Sequence, residues 1–236
     1  MVERLGEKYG GKFRLTYLDI PGLGESIRTT LRVGKVEFED VRVSYEVVAS
    51  MREKGQLPCG QVPLLEIGDS VKLSQSEAIL RLAGKLGGTY PVNDYVVAAR
   101  CDMILSQLGD VKVALRPLWY KHALGRSPRS GQKLVPLSDE QNSQVLKYLN
   151  EDVLPTHFQR LEAIFESRPE GVYFCGKSLM VCDIEFYCVV SGLLNGTYAG
   201  KGVSKGLLDD CPNLQTLLAT IRQALKAVAK EQAGEL

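Results

Sequence analysis

Residues able to do chemistry are sparse in this chain. Gly22-Leu23-Gly24 begins like the fingerprint that cradles a dinucleotide pyrophosphate, but Ile27 stands where the third glycine belongs. The six cysteines (Cys59, Cys101, Cys175, Cys182, Cys188, Cys211) include no Cys-x-x-Cys pair, so they read as reduced, mostly buried thiols. His122 and His157 are the only histidines, too isolated for a zinc site, and no metal is expected. Tyr17 alone reads as a core aromatic. Ser76 reads as a helix cap, and the Val62-Pro63 bond as ordinary trans. Taken singly, none of these defines an activity.

The elements that must position them fall into two groups. Phe13, Leu15 and Tyr17 alternate with Lys12, Arg14 and Thr16, the period of a half-buried strand. Pro21-Gly22 interrupts it, a helix follows from Glu25 to Leu31, and Gly34 stops that helix. Val36 to Val43 predicts a strand with a bulge or irregular start near Glu39-Asp40. Leu65 to Leu73 reads as a hairpin turning at Gly68-Asp69-Ser70, and Ser76 to Leu86 as a helix ended by Gly87-Gly88. The expected order is βαβ, hairpin, α. Beyond Asn93 the periodicities are helical: Tyr95 to Leu115, a stretch from Leu146 to Phe165 that Pro155 should kink or divide, an almost wholly apolar Ile184 to Leu194, and Leu214 to Val228.

Those patterns predict an α/β unit over 1–88, with 1–11 as an N-terminal extension, and an all-helical unit over 89–236. Lys+Arg number 29 against Asp+Glu 28, so no net charge attracts nucleic acid or an acidic membrane. No apolar run reaches the roughly 18 residues of a membrane span, and the charged N-terminus cannot serve as a secretory signal. A cytoplasmic protein is expected. The stretch 125–131, Gly-Arg-Ser-Pro-Arg-Ser-Gly, reads as a basic flexible loop.

Taken in order, the segments resemble the cytosolic glutathione transferases. Phe13-Arg14-Leu15-Thr16-Tyr17, Gly24-Glu25-Ser26-Ile27-Arg28 and Leu57 to Ile67 carry the resemblance, followed by Leu73-Ser74-Gln75-Ser76-Glu77-Ala78-Ile79. It continues through Cys101-Asp102-Met103, Gly176 to Asp183 and Leu208 to Leu214. The N-terminal tyrosine and its neighbours are most similar to the sigma class, with alpha, mu and pi as near relatives. The resemblance implies a thioredoxin-like N-terminal domain, a helical C-terminal domain and a homodimer. Glutathione is implied as co-substrate, with no other cofactor and with a small hydrophobic electrophile as second substrate.

It also implies roles. Tyr17 becomes the catalytic residue. A free thiol with pKa near ~8.5 is only a few per cent ionised at neutral pH, and a hydroxyl donating to sulfur favours the thiolate. Lowering that pKa by about two units corresponds to roughly 2.7 kcal/mol. Gln75, Ser76 and the helix-start N–H groups take the γ-glutamyl carboxylate. Val62, held by a cis Pro63, offers its backbone to the cysteinyl part. Lys54 takes the glycyl carboxylate with Gln61 beside it, and Arg52 competes for that role. Asp110 reaches across the dimer to the glutathione amino group. Leu18, Leu23, Leu115, Trp119 and Tyr120 are candidates for the apolar pocket, the last three being equally explicable as helix packing. Asp183 closes a helix capping box whose other half is lost, because Met180 stands where Ser or Thr is usual.

One departure bears on activity. Leu23 occupies a position where many relatives carry an arginine that stabilises the thiolate, and Pro21 replaces a second. Three alternatives stay open: a prostaglandin D synthase-like isomerase, a structural or ligand-binding protein like the lens S-crystallins, and a thiol–disulfide oxidoreductase. The last ranks lowest, since no cysteine stands at the first helix.

Overall fold

The computed structural model describes residues 8–9, 12–127, 130–197 and 202–233, with backbone alone for 122–124. Most of the expected N-terminal extension and part of the basic 125–131 loop lie outside the described residues.

Strands β1 (Phe13–Leu18), β2 (Phe38–Val43), β3 (Leu64–Ile67) and β4 (Val71–Ser74) form one sheet in the order β2-β1-β3-β4. Strand β1 is central, parallel to β2 with Phe13 opposite Phe38, and antiparallel to β3 with Phe13 opposite Ile67. A strand covered on both faces loses its alternation. Thr16, Tyr17 and Leu18 are accordingly all buried, whereas alternation predicted a half-exposed strand throughout. Strand β2 keeps one register with β1 from Phe38 to Val43, so its irregularity is confined to the residues before Phe38.

Helix α1 (Gly22–Val33) starts three residues before the expected Glu25 and ends at Gly34. Helix α2 (Tyr45–Glu53) was not expected. Its N-cap Ser44 accepts from the Val47 N–H at 3.5 Å, and its Val48 packs with Tyr17, Leu18, Leu57 and Leu64 in a small cluster apart from the main core. The N-terminal order is therefore βαβαββα. Helix α3 (Ser76–Leu86) ends at Gly87 as the sequence predicts. Its C-terminal end meets that of α1 backbone to backbone: a Cβ on Gly34 would lie 2.2 Å from the Gly87 Cα.

The C-terminal part is helical. Asp94 caps α4 (Tyr95–Ala114), its Oδ1 accepting from the Val96 and Val97 N–H groups at 3.0 Å. A wider-turned, π-helical segment, Pro117–Leu124, continues from it. Next come α5 (Asp139–Tyr148), a second wide segment at Leu149–Val153, α6 (Leu154–Glu166), α7 (Val181–Asn195) and α8 (Pro212–Ala233). Pro155 lies in the first turn of α6, where its missing N–H costs nothing. The helical stretch divides just before it, through the wide turn. Helix α7 is central, with Val181 to Phe186 all buried. Asp183 supplies the surviving half of its capping box, Oδ2 accepting from the Met180 N–H at 2.8 Å and Oδ1 from the Phe174 N–H at 2.9 Å. Cys101, Cys175 and Cys182, far apart in sequence, meet beside it. Among the described residues no helix is long and apolar enough to cross a membrane.

Candidate active site

A cavity of about 530 Å³ opens between the α/β unit and the helices. Tyr17, the penultimate residue of β1, forms part of its floor and is 2% exposed. The tyrosine oxygen accepts the Leu23 N–H, in the first turn of α1, at 3.1 Å. With that lone pair engaged, the hydroxyl proton remains for donation to a ligand. Burial pushes the phenol well above its usual pKa, and the Leu23 N–H and the Arg28 charge only partly oppose this. Tyr17 is therefore neutral at physiological pH and suited to donate a hydrogen bond, not to act as a base.

The Gly22-Leu23-Gly24 run has a local reason unrelated to nucleotides. A Cβ on Gly22 would stand 2.7 Å from the Tyr17 hydroxyl, and Gly22 has φ +43°. Only glycine lets the backbone turn this tightly against the ring. Sequence reasoning singled out no role for Arg28, yet its side chain is fully buried behind Tyr17, with Cζ 5.6 Å from the ring centre. Its guanidinium binds Asp40 at 2.8 Å, Glu25 at 3.3 Å and the Ile20 carbonyl at 3.2 Å. It thus pins the β1–α1 turn that presents Tyr17.

At the start of α3 the outcome differs from a serine cap. Gln75 is the N-cap and Ser76 the first helical residue, and no side chain caps the end. Gln75 holds φ +76°, a conformation costing a non-glycine residue about 1 kcal/mol or more and concentrated at functional sites. Both residues line the cavity, as do Gln61, Val62 and Pro63. An uncapped helix start facing a cavity is suited to a carboxylate. The Val62-Pro63 bond is cis, against the ordinary expectation for an isolated X-Pro and as the resemblance implied.

Two candidates lie outside the cavity lining. Lys54 is the exposed C-cap residue of α2, while Arg52, one helical half-turn earlier, lines the cavity and donates Nε to the Gly60 carbonyl at 2.6 Å. Leu115, the C-cap residue of α4, is fully buried in the main core. Trp119 and Tyr120 in that segment do line the cavity, with ring centres 5.4 Å apart and planes tilted 36°. Leu18 and Leu23 complete the apolar wall. Asp110 is exposed and lines the cavity of its own chain.

The cavity also holds charges that sequence patterns did not single out: Lys112, Arg116 and Arg126, with Glu77. Lys112 binds Glu185 at 2.6 Å, and Glu77 lies 3.7 Å away. Burial lowers the Lys112 pKa, but the two carboxylates outweigh it and hold the ammonium charged.

A four-stranded sheet of this topology followed by a helical unit defines a thioredoxin-like fold with an all-helical second domain. Residues 13–83 match the model of the glutathione S-transferase N-terminal domain, and 133–230 that of the C-terminal domain. Glutathione S-transferase 1 of Ascaris suum is 32% identical over 73% of this chain and 76% of its own length. The crystal structure of the glutathione S-transferase from Ascaris lumbricoides superposes with a TM-score of 0.73 at 26% identity, covering 95% of this chain and 98% of that one. The prostaglandin synthase D of Nilaparvata lugens shares the fold, with a TM-score of 0.72 at 22% identity over 94% and 97%. The chain belongs to the glutathione S-transferase family.

Proposed function

We propose that this protein binds glutathione in the cavity and activates its thiol through Tyr17 for addition to apolar electrophiles. The observation that carries this reading is the Leu23 N–H bond to the Tyr17 oxygen, which leaves the hydroxyl proton to face a sulfur. The thiol proton passes to solvent, the thiolate attacks the electrophile, and Tyr17 keeps its own proton throughout. Gln75, Ser76 and the open start of α3 take the γ-glutamyl carboxylate, and Val62 pairs with the cysteinyl backbone. Arg52, in place of Lys54, takes the glycyl carboxylate with Gln61, and Asp110 takes the amino group. Leu18, Leu23, Trp119 and Tyr120 receive the electrophile.

The wider assignment follows the same reading: residues 1–88 form the glutathione domain, 89–236 the helical domain, and the protein is a cytoplasmic homodimer. Exposed Val96 and Met103 on α4, seven residues apart and so on one face, support a contact between copies. A second reading, a glutathione binder with weak catalysis, is favoured by Leu23, which puts an alkyl chain where a cation would stabilise the thiolate. Likeness to a prostaglandin synthase extends to the fold and carries no substrate with it.

The test is an ultraviolet titration of glutathione bound to wild type and to Tyr17→Phe. Bound thiol should ionise well below free glutathione in wild type, and the shift should vanish in the variant. A bound thiol titrating like the free tripeptide would leave the binder reading standing; no binding at all would overturn both.

A further inference from the structure

Away from the glutathione cavity, three thiols converge in the helical domain. Cys101 comes from α4, Cys182 is the second residue of α7, and Cys175 lies in the segment between α6 and α7. Their sulfurs all lie within 4.8 Å of one another, Cys175 and Cys182 at 3.8 Å. We propose that Cys101, Cys175 and Cys182 form a three-thiolate site for a soft monovalent cation, Cu(I).

Buried cysteines are commonly small apolar fillers, but filler does not require three sulfurs to share one centre. Two of them ride on packed helices. The third is fixed by its neighbour: the Phe174 N–H donates to Asp183, and its carbonyl accepts from Arg100 Nε at 3.1 Å. On the other side of Cys175, the Gly176 N–H donates to the Tyr173 carbonyl at 3.2 Å, so the Cys175 backbone is held before any ion arrives. Metal–sulfur bonds of about 2.3 Å in a trigonal plane set sulfurs about 4 Å apart, which these side chains reach with small rotations.

Three thiolates around one Cu(I) leave two net negative charges, which the surroundings offset in part. The N-terminal turn of α7 and the Arg100 guanidinium both present positive potential here. On binding, the three thiols release their protons to water as sulfur–metal bonds form. Zinc would need a fourth ligand. Asp183, the adjacent carboxylate, already has one oxygen on the Phe174 N–H and the other on the Met180 N–H. Three soft ligands without a fourth suit Cu(I).

The test uses the full chain, freed of glutathione, under anaerobic reducing conditions. Cu(I) is supplied with the chromophoric competitor bicinchoninate, and copper retained per chain is measured. One equivalent should be retained, with copper-edge X-ray absorption giving three sulfur neighbours at about 2.3 Å. Cys175→Ser should weaken retention by about tenfold or more, while Cys59→Ser, at an exposed thiol, should leave it unchanged. Should Cys175→Ser fail to fold, the wild-type absorption spectrum still decides. No retention, fewer than three sulfur neighbours, or equal retention in Cys175→Ser would overturn the proposal.

Discussion

Gly24 lies so close to Tyr17 that a methyl group on its α-carbon would stand 2.7 Å from ring Cδ1 and 2.9 Å from Cγ. Gly24→Ala therefore sets two effects against each other. Alanine improves helix propensity by about 1 kcal/mol, while overpacking costs about 1–3 kcal/mol and moves the ring. The expected outcome is a fall in turnover of about tenfold with glutathione affinity nearly unchanged, since the proposed carboxylate contacts lie on α2 and α3. Steady-state kinetics beside a glutathione titration would check it. Wild-type turnover in the variant would mean that the tyrosine position is not critical.

Leu23→Arg should restore a cation beside the sulfur. Bound thiol should then ionise about one pH unit lower, raising the rate most at mildly acidic pH, where thiolate is scarce. The same change should raise KM for apolar electrophiles by replacing an alkyl wall. An unchanged thiol titration would rule Leu23 out as the determinant of thiolate formation.

Trp119 is the sole tryptophan of the chain and lines the cavity. Intrinsic tryptophan emission should therefore respond to a hydrophobic ligand. Trp119→Ala should raise KM for the electrophile severalfold while leaving the Kd for glutathione within about twofold, the pattern of lost apolar contact. If glutathione affinity collapses instead, Trp119 is holding the fold of the cavity and not the electrophile.

Asp40 governs an acid-side stability term. Desolvation raises its pKa, but hydrogen bonds from Arg28 and Arg42 outweigh that and hold it below its ordinary 3.8. A carboxylate with a depressed folded pKa contributes stability that is present above the unfolded value and is lost as pH falls through the folded one. Urea midpoints measured downward from pH 5 should show this loss in wild type. They should show less of it in Asp40→Asn, which at neutral pH is destabilised by about 1–3 kcal/mol as buried Arg28 loses its closest partner. Identical acid profiles would remove Asp40 from the account.

Much of the N-terminal fold was legible because its strands and helices carry strong periods punctuated by glycine. Helix α2 was not, since Tyr45-Glu46-Val47-Val48-Ala49-Ser50-Met51 mixes β-branched and polar residues without a clear stripe. Ser44, three residues before the N–H it caps, was the available signal. Lys54 rests on the resemblance, with Arg52 as its competitor; the end of α2 puts Arg52 at the cavity and Lys54 outside its lining. The capping of α3 was misread by one residue because a left-handed Gln75 leaves no mark in composition. For Leu115 the sequence leaves pocket and helix packing equally open, and the buried C-cap position decides for packing. Cys101, Cys175 and Cys182 come together only through tertiary packing of α4 against α7, which sequence spacing cannot express.

The glycine contact at the far ends of α1 and α3 acts like the pivot of a pair of compasses. Gly34 and Gly87 touch there, while the opposite ends of the two helices carry Leu23 beside Tyr17 and Gln75-Ser76 at the cavity. Twelve residues of α1 make an arm of about 18 Å. A small wedge at the pivot is therefore magnified at the tips, where it alters the span between Leu23 and Gln75-Ser76. The width of the cavity is thus gauged by two residues that never approach it.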